Sequence, residues 1–149
     1  GGMAVVPNVY GRHLADAQEL IAASGLSLNQ NITFLETDDT TMHGLVAQQS
    51  PSGGSEVIAS AKVSLTLYRV PSMMARAKVL LSLPQTESMM HVRVTLVESG
   101  VEYTAYEGDF PANASREPEV GLCGNEPGMY TYRVYCDGEF AYQQQVNME

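Results

Sequence analysis

The stretch that decides the fold of the first half of the chain is residues 44–69, which read GLVAQQSPSGGSEVIASAKVSLTLYR. In its last part, Val63, Leu65 and Leu67 alternate with polar residues, which predicts a strand over Lys62–Arg69 with one buried face. The run Ser-Pro-Ser-Gly-Gly in its middle predicts a turn on composition alone. The stretch therefore predicts two strands of one small sheet, joined by a connection that contains this turn.

A helix and a further strand are predicted before this stretch. Leu14, Ala17 and Ile21 recur at helical spacing, and Gly25 supplies a left-handed stop. A strand candidate at residues 27–37 follows shortly after Gly25. We therefore expect an α+β module in which one helix covers a three-stranded sheet, with strands at residues 27–37, 44–49 and 62–69.

The chain beyond residue 75 has no helical periodicity and reads as short alternating strands between turn residues. Asp137-Gly138 is the strongest hairpin signal, because a type I′ turn needs a positive φ at both central residues. We expect Tyr135 opposite Phe140 in this hairpin. One face should carry Tyr135, Phe140 and Tyr142 and the other Val134, Cys136 and Ala141, and the sequence leaves open which face points inward. Six or seven such strands predict an all-β sandwich of immunoglobulin-like (Ig-like) type.

A shift in composition predicts a domain boundary near Pro71. Residues 1–70 carry 3 basic and 6 acidic side chains, whereas residues 71–149 carry 5 and 11. Pro71 lacks the N–H that would continue a strand. We predict domains at residues 5–70 and 76–149 with a linker at 71–75.

The start Gly1-Gly2-Met3 has the look of a cloning scar, so we assign residues 1–4 to a scar or linker and expect the chain to be a fragment.

The charge balance excludes several classes of function. Against 17 Asp and Glu there are 8 Lys and Arg, a formal net charge of −9, and the cations are scattered singly. Nucleic acid is thereby excluded as a partner, because phosphate contacts need clustered cations.

No apolar run approaches the roughly 18 residues of a membrane span. No nucleophile elbow, His-Glu-x-x-His pair or phosphate-binding glycine loop occurs, so we expect neither an active site nor a cofactor.

The cysteines and histidines predict no metal site. Cys123 and Cys136 leave two alternatives open, one disulfide bridge or two small buried thiols, and a single pair does not have zinc-site spacing. His13, His43 and His91 are isolated in sequence. We expect each of them to be a solvated or capping residue.

The first half resembles the PASTA domain. Val6-Pro7-Asn8-Val9-Tyr10-Gly11 and the following Leu14-x-x-Ala17 resemble its opening, and residues 44–57 are similar to its Gly-x-Val-x-x-Gln-Ser-Pro-x-x-Gly-x-x-Val segment. The resemblance covers about residues 5 to 70 in the right order and spacing. His13 departs from it, since the family usually has Ser or Thr as the helix N-cap and histidine is a poorer acceptor there.

The resemblance implies where the chain works. PASTA domains are extracellular modules of bacterial membrane serine/threonine kinases and of some penicillin-binding proteins. Several such kinases of Gram-positive bacteria end with an Ig-like domain, and residues 76–149 look like such a tail. The resemblance thus implies the non-catalytic extracellular region of a membrane-anchored kinase, next to the cell wall. A penicillin-binding protein is the alternative parent.

The resemblance also implies a ligand, a peptidoglycan fragment or an uncrosslinked wall precursor. Such ligands carry carboxylates and sugar hydroxyls, so we expect a cation beside amides and hydroxyls. The candidate residues are Arg12, Gln48, Gln49, Ser50, Glu56 and Arg69, with Lys62 as the remaining cation of the module. The acidic balance predicts weak, micromolar to millimolar binding. The alternative is a structural spacer whose exposed sheet edges serve a protein partner or self-association.

Overall fold

The computed structural model describes residues 2–149, and Gly1, the first residue of the predicted scar, lies outside them. The chain divides into two compact units, one ending at Met73 and the other beginning at Met74, with residues Ser99–Val101 counted in the first. None of the helices among residues 2–149 has the length and apolar character that crossing a membrane requires.

The helix of the first unit, α1 (Leu14–Ala23), forms on the predicted apolar stripe. Leu14, Ala17 and Ile21 are its buried residues. His13 is the N-cap but makes no side-chain hydrogen bond to the helix, as expected of a poor acceptor. Gly25 ends the helix with a φ of +79°, a conformation that only glycine adopts without strain.

Strand β6 (Lys62–Arg69) is the centre of the sheet in the first unit. Strands β2 (Ser27–Leu28) and β3 (Thr33–Glu36) pair with it in parallel, and β4 (Val46–Ser50) pairs with it antiparallel. The expected single strand over residues 27–37 is wrong, since the chain leaves the ladder between β2 and β3. The Asn29 side chain causes this break: its Oδ1 accepts from the N–H of Asn31 and its Nδ2 donates to Ser64.

Strands β1 (Met3–Val5) and β5 (Glu56–Ile58) form a separate two-stranded antiparallel ribbon. Met3 and Ala4, which the sequence pattern assigns to a scar or linker, pair in this ribbon with Ile58 and Val57. The core of the first unit lies elsewhere and is built from buried apolar residues of the helix, the segment before it and two strands: Val6, Val9, Ala17, Ile21, Val46, Val63 and Leu65.

The second unit is all β in the part of the chain that the structure describes. Its strands are β7 (Ala75–Leu80), β8 (Met90–Glu98), β9 (Val101–Phe110), β10 (Glu119–Gly124), β11 (Gly128–Cys136) and β12 (Glu139–Met148). Four of them form a sheet in the order β12-β11-β8-β9, and β10 pairs with β7 in antiparallel orientation. Ala75 is fully buried and already belongs to β7, so this strand begins inside the predicted linker 71–75.

The β11–β12 hairpin corrects one expected face. Asp137 and Gly138 have φ values of 50° and 83°, and Tyr135 pairs with Phe140, as the turn predicts. The register then shifts, and Val134 pairs with Tyr142, which leaves Ala141 as the extra residue of a bulge. The predicted aromatic face is therefore wrong for Tyr142, which shares the face of Val134. Since Val134 is fully buried, this is the face that points inward.

The two cysteines are both free. Cys123 lies in β10 opposite Arg76, and Cys136 ends β11 opposite Val92, so they belong to different sheets. Of the two alternatives, the structure contains the two thiols, each half-buried, and not the bridge. Burial, together with the neighbouring Asp137 carboxylate, raises the pKa of the Cys136 thiol.

Candidate ligand-binding site

A shallow groove of about 270 Å³ lies on the polar face of the sheet in the first unit. Along β6, Val63, Leu65 and Leu67 are buried in the core, whereas Ser64 and Thr66 lie between them on the other face. The same alternation thus builds both the core and the groove. The lining residues are Asn31, Thr33, Gln48, Gln49, Ser50, Ser64, Leu65 and Thr66.

Strand pairing holds the hydroxyl groups of the groove in place. The Oγ1 atoms of Thr33 and Thr66 are 2.7 Å apart and share one hydrogen bond. On the other side of β6, Gln48 lies opposite Thr66 and Ser50 opposite Ser64. Gln48 and Ser50 are exposed. The groove therefore presents side chains from three neighbouring strands on one surface.

Gln49 also lines the groove, but its amide is engaged within the protein. Its Oε1 accepts from the N–H of Val9 at 2.8 Å, and its Nε2 donates to the carbonyls of Pro7 and Pro51 at 2.9 and 3.1 Å. These bonds use the oxygen and both amide hydrogens. Gln49 consequently ties β4 to the segment before α1 and to the turn after β4.

The charged candidates lie outside the lining of the groove. Arg12 precedes α1, where its carbonyl accepts from the N–H of Val46. Glu56 belongs to the β1–β5 ribbon. The Arg69 guanidinium lies 3.5 Å from the centre of the Phe34 ring, a cation–π contact. Of the six predicted residues, the structure brings Gln48, Gln49 and Ser50 together and leaves Arg12, Glu56 and Arg69 elsewhere.

Four polar residues of the groove were missed by the sequence reasoning. The alternation of β6 already indicates that Ser64 and Thr66 share an outward face with each other, so these two could have been found. Asn31 and Thr33 carry no such local signal. They reach the groove because the chain turns at Asn29 and then pairs with β6 in parallel.

The second unit carries a polar network on its four-stranded sheet, centred on Glu102. The carboxylate of Glu102 accepts from Thr95 Oγ1 at 2.6 Å, Tyr135 Oη at 2.7 Å and Arg133 Nη1 at 2.7 Å. Burial alone would raise the pKa of Glu102, but these hydrogen bonds outweigh it and lower the pKa below its ordinary value. This network supplies its own partners and is structural.

His91 is isolated in sequence but not in space. Its Nε2 lies 2.7 Å from Glu107 Oε2 and its Nδ1 lies 2.8 Å from Asp109 Oδ1. Hydrogen bonds to Asp109 and Glu107 raise the pKa of His91. His91 is exposed, as expected of a solvated residue, and β9 also supplies two carboxylate partners that no local pattern shows. Across residues 2–149 no group of three or more His, Cys, Asp or Glu could hold a metal ion.

His43 accepts a hydrogen bond from the N–H of Val70 at its Nδ1, at 2.9 Å. This contact links the loop before β4 to the residue that follows β6.

The family model that matches this chain covers the unit that carries the groove. Residues 4–69 match the family model of the PASTA domain. The "Probable serine/threonine-protein kinase PknB" of Corynebacterium glutamicum is 40% identical over 74 residues, which cover 46% of this chain and 11% of that protein. The "Probable serine/threonine-protein kinase CE0033" of Corynebacterium efficiens is 38% identical over 68 residues, with 46% and 10% covered. The chain thus spans about a tenth of the length of these curated relatives.

A solved structure is also similar to the chain, the entire extracellular region of the Ser/Thr kinase PrkC from Staphylococcus aureus. The match has a TM-score of 0.41 and 17% sequence identity, and it covers 97% of this chain and 51% of that one.

Proposed function

Because residues 4–69 match the family model of the PASTA domain, we propose that this chain is the extracellular, non-catalytic sensor region of a bacterial membrane serine/threonine kinase. The observation that carries the proposal is this match, together with curated relatives that are named as probable serine/threonine kinases. In the proposal, residues 5–70 are the PASTA domain, and the parent protein anchors the chain in the membrane beside the cell wall.

The proposal assigns residues 76–149 to an Ig-like sandwich. Its two layers are the four-stranded sheet and the β7–β10 pair. Buried apolar residues on both layers support this assignment, with Val94 and Leu96 on β8 and Val120 and Leu122 on β10.

The ligand in this proposal is a peptidoglycan fragment or a wall precursor, and it binds at the groove of the first unit. Gln48 and Ser50 are exposed there and contact the ligand, while Gln49 positions β4. Arg12, Glu56 and Arg69 contribute less, because they lie outside the lining. The open shape of the groove and the acidic balance both favour weak binding.

A titration of ¹⁵N-labelled protein with a muropeptide tests this function. We expect saturable shifts in the amide resonances of β3, β4 and β6 at up to millimolar ligand. The amides of the β11–β12 hairpin serve as the internal control and should not move. If no resonance in β3, β4 or β6 shifts, ligand binding by this unit is excluded.

Strand β12 favours a second candidate function, a spacer that associates with itself. This strand ends the order of the four-stranded sheet and carries no charge from Phe140 to Met148. Edge strands usually carry charges that prevent pairing with another chain. Sedimentation over a wide concentration range tests this function: it requires dimers that Gln144→Lys removes, and a monomer at all concentrations would exclude it.

A further inference from the structure

We propose that the groove on the sheet of the first unit recognises an uncharged, hydroxyl-rich ligand, a sugar ring, and not the carboxylates of a peptide. This inference rests on the proposed function and names the part of the ligand that the groove takes. It differs from the expectation drawn from sequence, which placed a cation beside the amides and hydroxyls of the site.

The chemistry of the lining is the first argument. None of the eight residues that line the groove is charged, and seven of them carry a hydroxyl or an amide, of which the amide of Gln49 is already engaged within the protein. Hydroxyls and amides both donate and accept hydrogen bonds, as the hydroxyls of a sugar do. A carboxylate only accepts, and its hydration is replaced well only by cations or by several convergent N–H donors. The groove therefore matches a sugar better than an anion.

The scarcity of apolar residues in the lining is the second argument. Leu65 is the one apolar residue of the lining, and it is only 1% exposed because its side chain lies in the core. A peptide side chain would therefore find no exposed apolar residue to pack against among these eight. The volume of about 270 Å³ lies just below the roughly 300–1,000 Å³ of small-molecule pockets, which suits a single ring held weakly.

The fixed geometry of the hydroxyls is the third argument. The bond between Thr33 Oγ1 and Thr66 Oγ1 uses one of the two hydroxyl hydrogens, which leaves the other hydrogen and several lone pairs for a ligand. Asn29 Nδ2 donates to Ser64 Oγ at 3.1 Å, so the hydroxyl hydrogen of Ser64 is also left for a ligand. Groups held in this way lose little freedom when the ligand binds.

Lys62 is the cation that allows the competing outcome, binding of a carboxylate, to be tested. It lies on the same face of β6, two residues before Ser64, but is exposed and outside the lining. A carboxylate at the end of the groove would depend on Lys62, whereas a neutral sugar would not.

The experiment compares two probes on the same ¹⁵N-labelled chain, an uncharged oligosaccharide of N-acetylglucosamine and a free wall stem peptide without sugar. We expect the oligosaccharide to shift the amides of Thr33, Gln48 and Thr66 with the same affinity at low and high salt. The stem peptide should shift none of them. Thr66→Val should weaken binding of the oligosaccharide by about fivefold to tenfold, the equivalent of one hydrogen bond.

Two further variants keep this test independent of folding. Gln48→Ala changes an exposed side chain and should also weaken binding of the oligosaccharide severalfold, even if Thr66→Val perturbs the sheet. The matched control Lys62→Gln should leave it unchanged.

The outcomes separate this inference from the proposed function. Binding of the stem peptide or of an intact muropeptide without binding of the oligosaccharide would overturn the inference and leave the function standing. Salt-sensitive binding that Lys62→Gln abolishes would do the same. If neither the probes nor a muropeptide bind, the inference and the proposed ligand binding both fail.

Discussion

The two units carry polar sheet faces of opposite character. In the first unit the groove beside Ser64 and Thr66 is lined by uncharged residues, and its exposed side chains are open to a ligand. In the second unit the face around Glu102 is charged, and its groups bind one another. There the Arg133 guanidinium meets Glu102, and the Arg93 guanidinium lies 4.5 Å from the centre of the Tyr135 ring. A polar face can thus be built to receive a partner or to hold its own strands together.

The physical reason for the difference is where the polar groups of each face find their hydrogen-bond partners, within the protein or in water. Thr95 is a fully buried polar residue, and its hydroxyl donates to Glu102 at 2.6 Å. A buried polar group without such a partner would be costly, so the network has to be complete. The Thr33–Thr66 pair is exposed and carries no such requirement, since water can satisfy its remaining groups. Variants should therefore change stability on the second face and binding on the first.

Glu102→Ala should produce the largest effect on stability. The substitution removes the acceptor of three hydrogen bonds and leaves Thr95 and Arg133 without it. We expect the second unit to lose about 3 kcal/mol of unfolding free energy, since bonds to a charged group contribute roughly 1.5–3 kcal/mol each and are not additive. Urea unfolding followed by resonances of β8 and β11 measures this loss.

Glu102→Gln is the matched control, because it keeps an acceptor at the same place and should cost less. A loss below about 0.5 kcal/mol for Glu102→Ala, the range of an ordinary surface substitution, would contradict the structural role of this face.

Gln49→Ala should produce the next largest effect, this time in the first unit. It leaves the N–H of Val9 without its acceptor, and Val9 is fully buried. We expect a loss of about 2 kcal/mol, in the range for an unsatisfied buried donor. Thermal unfolding of the variant measures it.

The adjacent Gln48→Ala serves as the control for Gln49→Ala, because Gln48 is exposed on the same strand. It should change stability by less than about 0.5 kcal/mol. Equal losses for the two variants would show that the groove is not divided into a binding residue and a positioning residue.

The pH dependence of His91 should be the smallest effect. Because contacts with Asp109 and Glu107 raise its pKa in the folded state, the protonated ring stabilises the second unit. That contribution is complete below the ordinary histidine value of about 6.5 and is lost as the pH rises through the higher folded pKa. The protection of the Glu107 and Asp109 amides against hydrogen exchange, measured relative to slowly exchanging amides elsewhere, should therefore fall as the pH rises through the folded pKa of His91.

Two variants test the assignment of this pH dependence. His91→Gln should remove it, since the substituted residue does not titrate, whereas His13→Gln should leave it unchanged because His13 lies in the first unit. The other charged groups beside His91 are Asp137, which accepts from its backbone N–H, and Arg93 on the same strand. A pH dependence that survives His91→Gln would assign it to the carboxylates instead.

Elements with a strong local signal were predicted correctly. The stripe Leu14, Ala17 and Ile21 became α1, and the alternation of residues 62–69 became β6. Asp137-Gly138 formed the expected turn because its backbone requirement is local. The sequence did not predict features that depend on residues far away in the chain. The break in the strand at Asn29 involves a hydrogen bond to Ser64, and the strand pairing of Met3 requires β5.

The sequence by itself determined which faces of the strands are polar, because a period of two places alternate residues on opposite sides of a sheet. It thereby determined that Ser64 and Thr66 point away from the core. Only the tertiary structure decided which side chains lie next to Ser64 and Thr66. Thr33 reaches Thr66 across 33 residues through parallel pairing, and the Arg69 guanidinium meets the Phe34 ring. Residue spacing along a chain does not encode such pairings, since they depend on how separate strands meet.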